Sequence, residues 1–302
     1  MPCYSPLHGW ASRSRTINGK RKIVFNQSAG YTDMPMTVPC GNCIGCRIDK
    51  SRQWALRCVH EAKLHALNSF VTFTYDENNL PYYNNLYKSE LQLLLKRIRK
   101  QYGQFRYYAC GEYGDTTSRP HFHVIFFGID FSEDRKYYKQ TKGGEKLYKS
   151  EKLNSVWGNG FAVIGNFNYA TAAYTARYVM KKVTGKSAQS HYTRTDIRTG
   201  EVYQLNPEFA LMSLKPGLGS GWYEKFKTDA FPSDFLVHQG KKHSVPRFYT
   251  DKLKREDETT HTAIKIKRKK AQAANKSECT PDRLRVREDV KLSKIKTLTR
   301  SI

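Results

Sequence analysis

The run Arg119-Pro120-His121-Phe122-His123-Val124-Ile125-Phe126-Phe127-Gly128 constrains this chain more than any other stretch. It sets two imidazoles on alternate residues of an apolar segment. Successive side chains on a β-strand point to opposite faces, so His121 and His123 project together, one pleat apart. Imidazoles that close can grip one divalent cation from a rigid sheet. The preceding apolar stretch, Phe105 to Glu112, reads as a second strand. Its terminal carboxylate can meet the histidines across the connection Gly114-Asp115-Thr116-Thr117-Ser118 and offer an oxygen ligand. Two nitrogens and a carboxylate suit Mn²⁺ or Mg²⁺ with positions left open for phosphate oxygens.

Other elements fall around that pair. A helix is expected from Asp49 to about Leu67, with Trp54, Cys58 and Ala62 as its apolar stripe. Phe70 to Tyr75 and Phe161 to Ile164 read as strands. Ser89-Glu90-Leu91-Gln92 has the form of a capping box before a helix reaching about Lys100. Residues 130–153 are polar and lysine-rich, as in an exposed insertion. Asn168 is placed to cap a helix running through Lys182, with Gly185 just past its end. On that helix Tyr174, Tyr178 and Lys182 share one face. A phenol attacks poorly at neutral pH without a nearby cation, and Lys182, or Lys181 beside it, offers one. These elements predict an α+β domain on a central antiparallel sheet with flanking helices. The expected boundaries are a Cys-rich segment at 1–48, a main domain at 49–250 and a basic tail at 251–302, disordered or forming a helix on contact with phosphates.

A formal charge of +25 creates a field that draws polyanions, so nucleic acid is the expected partner. No stretch is apolar for the roughly 20 residues a membrane helix needs, and the N-terminus lacks a basic-then-apolar leader. With seven cysteines, three of them within residues 40–46, a reducing compartment and metal ligation fit better than disulfides. The cytoplasm is the expected location. Cys40-x-x-Cys43-x-x-Cys46 can converge on one soft ion such as zinc, with Cys3 or Cys58 completing a tetrahedral set. His60 and His65 are five residues apart, off a common helical face, and are not expected to share a metal.

The strand Phe70 to Tyr75, the His-hydrophobe-His strand and Tyr-x-x-x-Tyr follow in the order of the motifs of rolling-circle initiators, the HUH endonucleases. The segments Cys40-Gly41-Asn42-Cys43-Ile44-Gly45-Cys46-Arg47, Trp54-Ala55-Leu56-Arg57-Cys58 and Ser213-Leu214-Lys215-Pro216-Gly217 add detail. Together they resemble the replication initiation proteins of small single-stranded DNA phages, the gokushovirus branch of the Microviridae. That resemblance implies the HUH, ferredoxin-like fold and metal ligation by His121, His123 and Glu112. It implies Tyr174 and Tyr178 as paired nucleophiles that nick origin DNA, form a 5′-phosphotyrosine link and rejoin the ends. Implied partners are single-stranded and origin DNA and the host replication machinery, including a helicase. Exposed aromatics such as Tyr82, Tyr83 or Trp222 offer stacking faces for bases. The rival reading is a non-catalytic, zinc-braced DNA-binding or packaging protein. A transposase or plasmid mobilisation enzyme would share the chemistry.

Overall fold

The structure is a computed structural model that describes residues 3–17, 19–114, 117–141, 143–178, 182–183, 185 and 187–297. Near the N-terminus, β1 (Leu7–Ser12), β2 (Ile23–Val24) and β3 (Gly30–Val38) form an antiparallel sheet ordered β2-β1-β3. The long helix α1 (Ile44–Ala62) leads to β4 (Asn68–Tyr75), and α2 (Lys88–Tyr102) leads to the hairpin of β5 (Arg106–Tyr113) and β6 (Pro120–Phe127). Strands β7 (Lys136–Gln140) and β8 (Lys146–Lys149) precede α3 (Glu151–Trp157), β9 (Gly160–Asn166) and α4 (Tyr169–Tyr178). After α5 (Ala188–Tyr192) come β10 (Thr193–Thr195), β11 (Val202–Gln204), β12 (Phe209–Met212) and α6 (Ser220–Phe226). The hairpin β13 (Phe235–His238) and β14 (Lys241–Ser244) precedes α7 (Arg247–Glu256), α8 (Glu258–Ala274) and α9 (Pro281–Lys296).

Seven strands make the main sheet, in the order β12-β5-β6-β4-β9-β8-β7, with every pairing antiparallel. Alternation divides its residues between two helical layers. On one face Val71, Phe73, Phe122, Val124 and Phe126 pack with Leu91, Leu94, Leu95 and Ile98 of α2 and with Leu153 and Trp157 of α3. Each such fully buried apolar side chain contributes about 1.5–3 kcal/mol relative to exposure. On the other face Phe70, Tyr108, Ile125 and Phe127 pack with Ala55, Cys58 and Ala62 of α1 and with Ala172 and Ala176 of α4. The expected α+β sheet with flanking helices is therefore what forms. Gly160 lets β9 start beside β4: its φ is +146°, and an added Cβ would stand 2.3 Å from the Thr74 carbonyl oxygen.

Three expectations need correction. The capping box at Ser89 does not form, because α2 begins at Lys88 after Tyr87, leaving Ser89 inside the helix. The stretch 130–153 is no detached insertion, since β8 pairs with β9 and extends the main sheet. Ser150 caps α3 there, accepting from the Leu153 N–H at 3.0 Å and donating to Asp134 Oδ1 at 2.6 Å. Where disorder or a helix formed only on contact with phosphates is expected, the described residues are already helical through α7, α8 and α9, with Leu253, Ile264 and Leu284 buried.

The chain divides into two compact units, residues 1–50 with 262–299, and residues 51–261. The main sheet lies in the second. Among the described residues no helix is long and apolar enough to cross a membrane.

Candidate active site and metal centre

Alternation along β5 and β6 carries Glu112, His121 and His123 to the sheet face that α1 and α4 cover. Glu112 is the register partner of His121, and His123 lies opposite Cys110 on β5 and Thr72 on β4. His123 and Glu112 are both buried, with Nε2 2.8 Å from Oε1. The other ring nitrogen, Nδ1, lies 3.0 Å from the Thr72 hydroxyl. A carboxylate can only accept, so Nε2 carries the proton towards Glu112 and Nδ1 accepts from Thr72. A buried carboxylate without such a partner would be costly, and the imidazole supplies one.

His121 is half-buried, and its Nδ1 donates to the Arg119 carbonyl oxygen at 2.8 Å. Nε2 then keeps its lone pair, the tautomer a metal ligand needs. Burial, reinforced by the neighbouring His123, holds the His121 pKa below the usual imidazole value, so the ring is neutral at pH 7. The donor chemistry fits a hard divalent cation. In the structure as it stands one Glu112 oxygen is engaged by His123, and the three donors do not converge as a ligand group.

The helix α4 brings a phenol to the same place. Asn168 and Thr171 cap each other reciprocally, with Thr171 N–H to Asn168 Oδ1 at 2.8 Å and Asn168 N–H to Thr171 Oγ1 at 2.9 Å. Ala172 and Ala176 face the sheet and permit close approach. Tyr174 is thereby set edge-on to His123, with ring centroids 5.3 Å apart and the planes at 83°. The Arg177 guanidinium carbon lies 5.8 Å from the centre of the Tyr174 ring.

A second cluster lies in the other unit. The sulfurs of Cys3, Cys40, Cys43 and Cys46 all stand within 4.8 Å of one another, the one such group of possible metal ligands among the described residues. Backbone N–H groups point at three of them: Cys40 to Cys3 Sγ at 3.3 Å, Tyr4 to Cys43 Sγ at 3.3 Å and Cys43 to Cys40 Sγ at 3.2 Å. Donors so aimed stabilise thiolates. Burial works to raise the Cys43 thiol, but the N–H groups of Tyr4 and Cys46 outweigh it and bring the pKa down to about 7. Burial raises Cys3 and Cys46. Cys3 completes the set; Cys58, the other option, lies on α1 and is buried in the core against the main sheet. Four sulfurs so arranged could hold a metal such as zinc in a closed tetrahedral site.

Purified protein should carry close to one zinc per chain by elemental analysis, and Cys43→Ser should lose most of it. A structural zinc contributes on the order of 10 kcal/mol, so chelation should abolish a distinct melting transition. Ligand thiols must shed protons, so zinc affinity should fall as pH drops below neutral. Metal-free protein whose melting a chelator leaves unchanged would exclude the centre.

The family model for the replication-associated protein ORF2/G2P matches residues 68–183. The chain is 29% identical over 265 residues to the replication-associated protein VP4 of Bdellovibrio phage phiMH2K, covering 84% of this chain and 78% of that protein. It is 31% identical over 250 residues to the replication-associated protein ORF2 of Spiroplasma virus 4, covering 78% and 73%. This chain belongs to the replication-associated protein ORF2/G2P family. A third member, the replication-associated protein ORF4 of Chlamydia phage 1, is 26% identical over 227 residues, covering 72% of this chain and 54% of its own. No solved structure matches. The segment matched by the family model begins at β4 and contains Glu112, both histidines, both tyrosines and Lys182; the cysteine cluster lies outside it.

Within this family member the expected site residues are placed unequally. Glu112, His123 and Tyr174 touch or abut, and His121 stands one pleat away on the same face. The backbone of Tyr178 belongs to α4, but its side chain lies outside the described residues, as does Lys181. Lys182 is exposed and belongs to no regular element. Trp222 is buried at 3% exposure and stacks on His60 at 3.7 Å, so it offers no face to a base. Sequence reasoning passed over Thr72 and Arg177. Arg177 was findable, since it follows Tyr174 by three residues and so shares its side of the helix. Thr72 was not, because only strand pairing sets it beside His123.

Proposed function

We propose that the chain is the initiator of rolling-circle replication of a single-stranded DNA phage, an HUH-type enzyme that nicks origin DNA and rejoins its ends. The observation that carries this reading is the packing of Tyr174 against a buried imidazole–carboxylate pair on one sheet face. The names of the relatives, replication-associated proteins of phages, agree with it.

His121, His123 and Glu112 are the residues that would hold Mg²⁺ or Mn²⁺. The ion, when bound, supplies positive charge that polarises the scissile phosphate and offsets the charge of the transition state. Tyr174 or Tyr178 attacks phosphorus through its phenolic oxygen. A tyrosine–phosphorus bond forms, the bond to the 3′-oxygen breaks, and the phenolic proton passes to solvent or a base. The products are a 5′-phosphotyrosine and a free 3′-hydroxyl that primes synthesis. Arg177 and Lys182 supply the positive charge that favours the phenolate. The second tyrosine cuts the regenerated origin, and the released 3′-hydroxyl displaces the first link to close a circle. Bond energy stays in the ester, so joining needs no nucleotide. DNA enters unpaired, in the host cytoplasm, with host polymerase and helicase as partners. A packaging protein, the alternative, would use the cysteine cluster and the charge but has no task for Glu112, His123 and Tyr174 together.

Incubating the protein with Mn²⁺ and a single-stranded origin oligonucleotide should give a covalent adduct. Mass spectrometry after digestion should place the nucleotide on Tyr174 or Tyr178. An intact oligonucleotide under all metals and origin sequences of the phage would end this reading.

A further inference from the structure

We propose that Tyr82, Tyr83 and Tyr203 form a stacking platform for unpaired DNA bases at the end of the sheet that carries the nicking site, with Arg194 and Arg198 facing the adjoining nucleic-acid backbone. The proposal rests on the nicking reading above and adds where the strand is held.

Tyr82 keeps 71% of its surface exposed, an unusual state for so large a ring. It lies 4.1 Å from Tyr83, centroid to centroid, and Tyr83 in turn stacks on Tyr203 at 3.9 Å with the planes only 5° apart. The rings are held, not loose. Tyr83 Oη donates to Glu201 Oε2 at 2.6 Å, Asn85 Nδ2 donates to the Gln204 carbonyl at 3.3 Å, and Asn206 N–H donates to Asn85 Oδ1 at 2.8 Å. These bonds tie the 82–85 turn to β11.

The backbone is strained where the rings are presented. Tyr83 and Asn84 both have φ of +54°, in the left-handed region that side chains other than glycine rarely enter. Two such residues in succession, with the first a bulky aromatic, point to a conformation kept for what it displays. A turn needed only to connect β4 to α2 would adopt relaxed geometry.

Hydrogen bonds fix the platform to the end of the sheet that carries the candidate site. Tyr113 immediately follows Glu112 on β5 and pairs with Pro120, the residue before His121. Its hydroxyl donates to the Asn206 carbonyl at 2.8 Å and accepts from the Leu86 N–H at 3.1 Å. The turn and β11 are therefore anchored at the same end of the sheet as the imidazoles, through a side chain that alternation directs to the opposite face, where Tyr113 packs against the α2 side of the core. Charge complements the aromatic surface: Arg194 on β10 is the register partner of Tyr203, hence on the same hairpin face, and Arg198 lies in the connecting turn. Both arginines are exposed. Interleaved rings and cations are the chemistry by which proteins hold single strands, the rings stacking on bases and the cations following phosphates. A duplex hides its base faces, so the partner is unpaired DNA.

Full-length protein and origin oligonucleotides carrying 2-aminopurine at successive positions test this. At one or two positions near the nick, binding should quench the fluorophore. Tyr82→Ala should remove that quench and weaken single-strand affinity roughly ten-fold, and Tyr82→Phe should restore both. Tyr82 is exposed, so its variants should melt with the wild type. Tyr83→Ala should lose the quench as well, and Arg194→Ala should reduce the salt dependence of binding by about one phosphate contact. Unchanged affinity and quench in Tyr82→Ala overturn the platform. Equal or tighter binding of an oligoribonucleotide of the same sequence overturns its assignment to DNA. The two readings fail separately: a wild-type adduct without quench at any position removes the platform alone, whereas quench without adduct removes nicking alone.

Discussion

His123→Ala should slow strand cleavage by about 10²–10³-fold or more while single-stranded DNA still binds. The expectation follows from the position of this ring, which meets Glu112 through Nε2, Thr72 through Nδ1 and Tyr174 through its edge. Removing it takes away a candidate ligand and the contact that orients the phenol. It also leaves a buried carboxylate without its imidazole, which lowers stability. The measurement must therefore separate chemistry from folding. Single-turnover cleavage with Mn²⁺ should be paired with thermal melting, and with the double variant His123→Ala/Glu112→Gln, whose neutral amide relieves the buried charge. The double should recover melting temperature without recovering rate. His121→Ala should match the rate loss with a smaller stability change, since its Nδ1 bonds only a neighbouring carbonyl. Cleavage at the wild-type rate in either histidine variant would refute metal-assisted attack at this face.

The Tyr174→Phe/Tyr178→Phe double variant should form no covalent adduct, a loss of about 10⁴-fold or more in the attack step. Phenylalanine keeps the edge contacts of the Tyr174 ring with His123 and Phe70 and removes only the hydroxyl, so the fold should be unaffected. The single variants distinguish the two nucleophiles. Each should still nick once, but neither should convert a replicated strand into closed circles, because that exchange needs a second phenol. Gel analysis of circular products against the nicked intermediate reads the difference. An adduct surviving in the double variant would require another nucleophile and remove the paired-tyrosine mechanism.

How much of this was legible beforehand depended on whether the signal was local. The β6 strand was, because a period of two along His121–Phe127 fixes which side chains share a face. So was the helical stripe Trp54, Cys58 and Ala62, which α1 does lay on the sheet. Convergence of Cys3 with Cys40 and Cys43 was open, since Cys3 and Cys58 were equal options until β1 and β3 paired. The C-terminal helices were misread for a physical reason. Lysine- and arginine-rich sequence forms helix readily but is marginal alone. Too few of its side chains are large and apolar to announce a packing partner; among the described residues Leu253, Ile264 and Leu284 are its buried ones. The strand β7 escaped for the same reason, being exposed along its whole length at the sheet edge. At Ser89 a sound motif lost to register, as α2 starts two residues early, at Lys88 after Tyr87.

The unit that holds the cysteines draws on residues 1–50 and 262–299, two segments far apart along the chain. During synthesis its first half must wait for more than two hundred intervening residues, on the order of ten seconds or more at ribosomal speed. Those residues include the whole seven-stranded sheet, which can fold on the ribosome meanwhile. Slow codons late in the gene, or premature termination, should therefore yield a finished sheet with an unfinished terminal module.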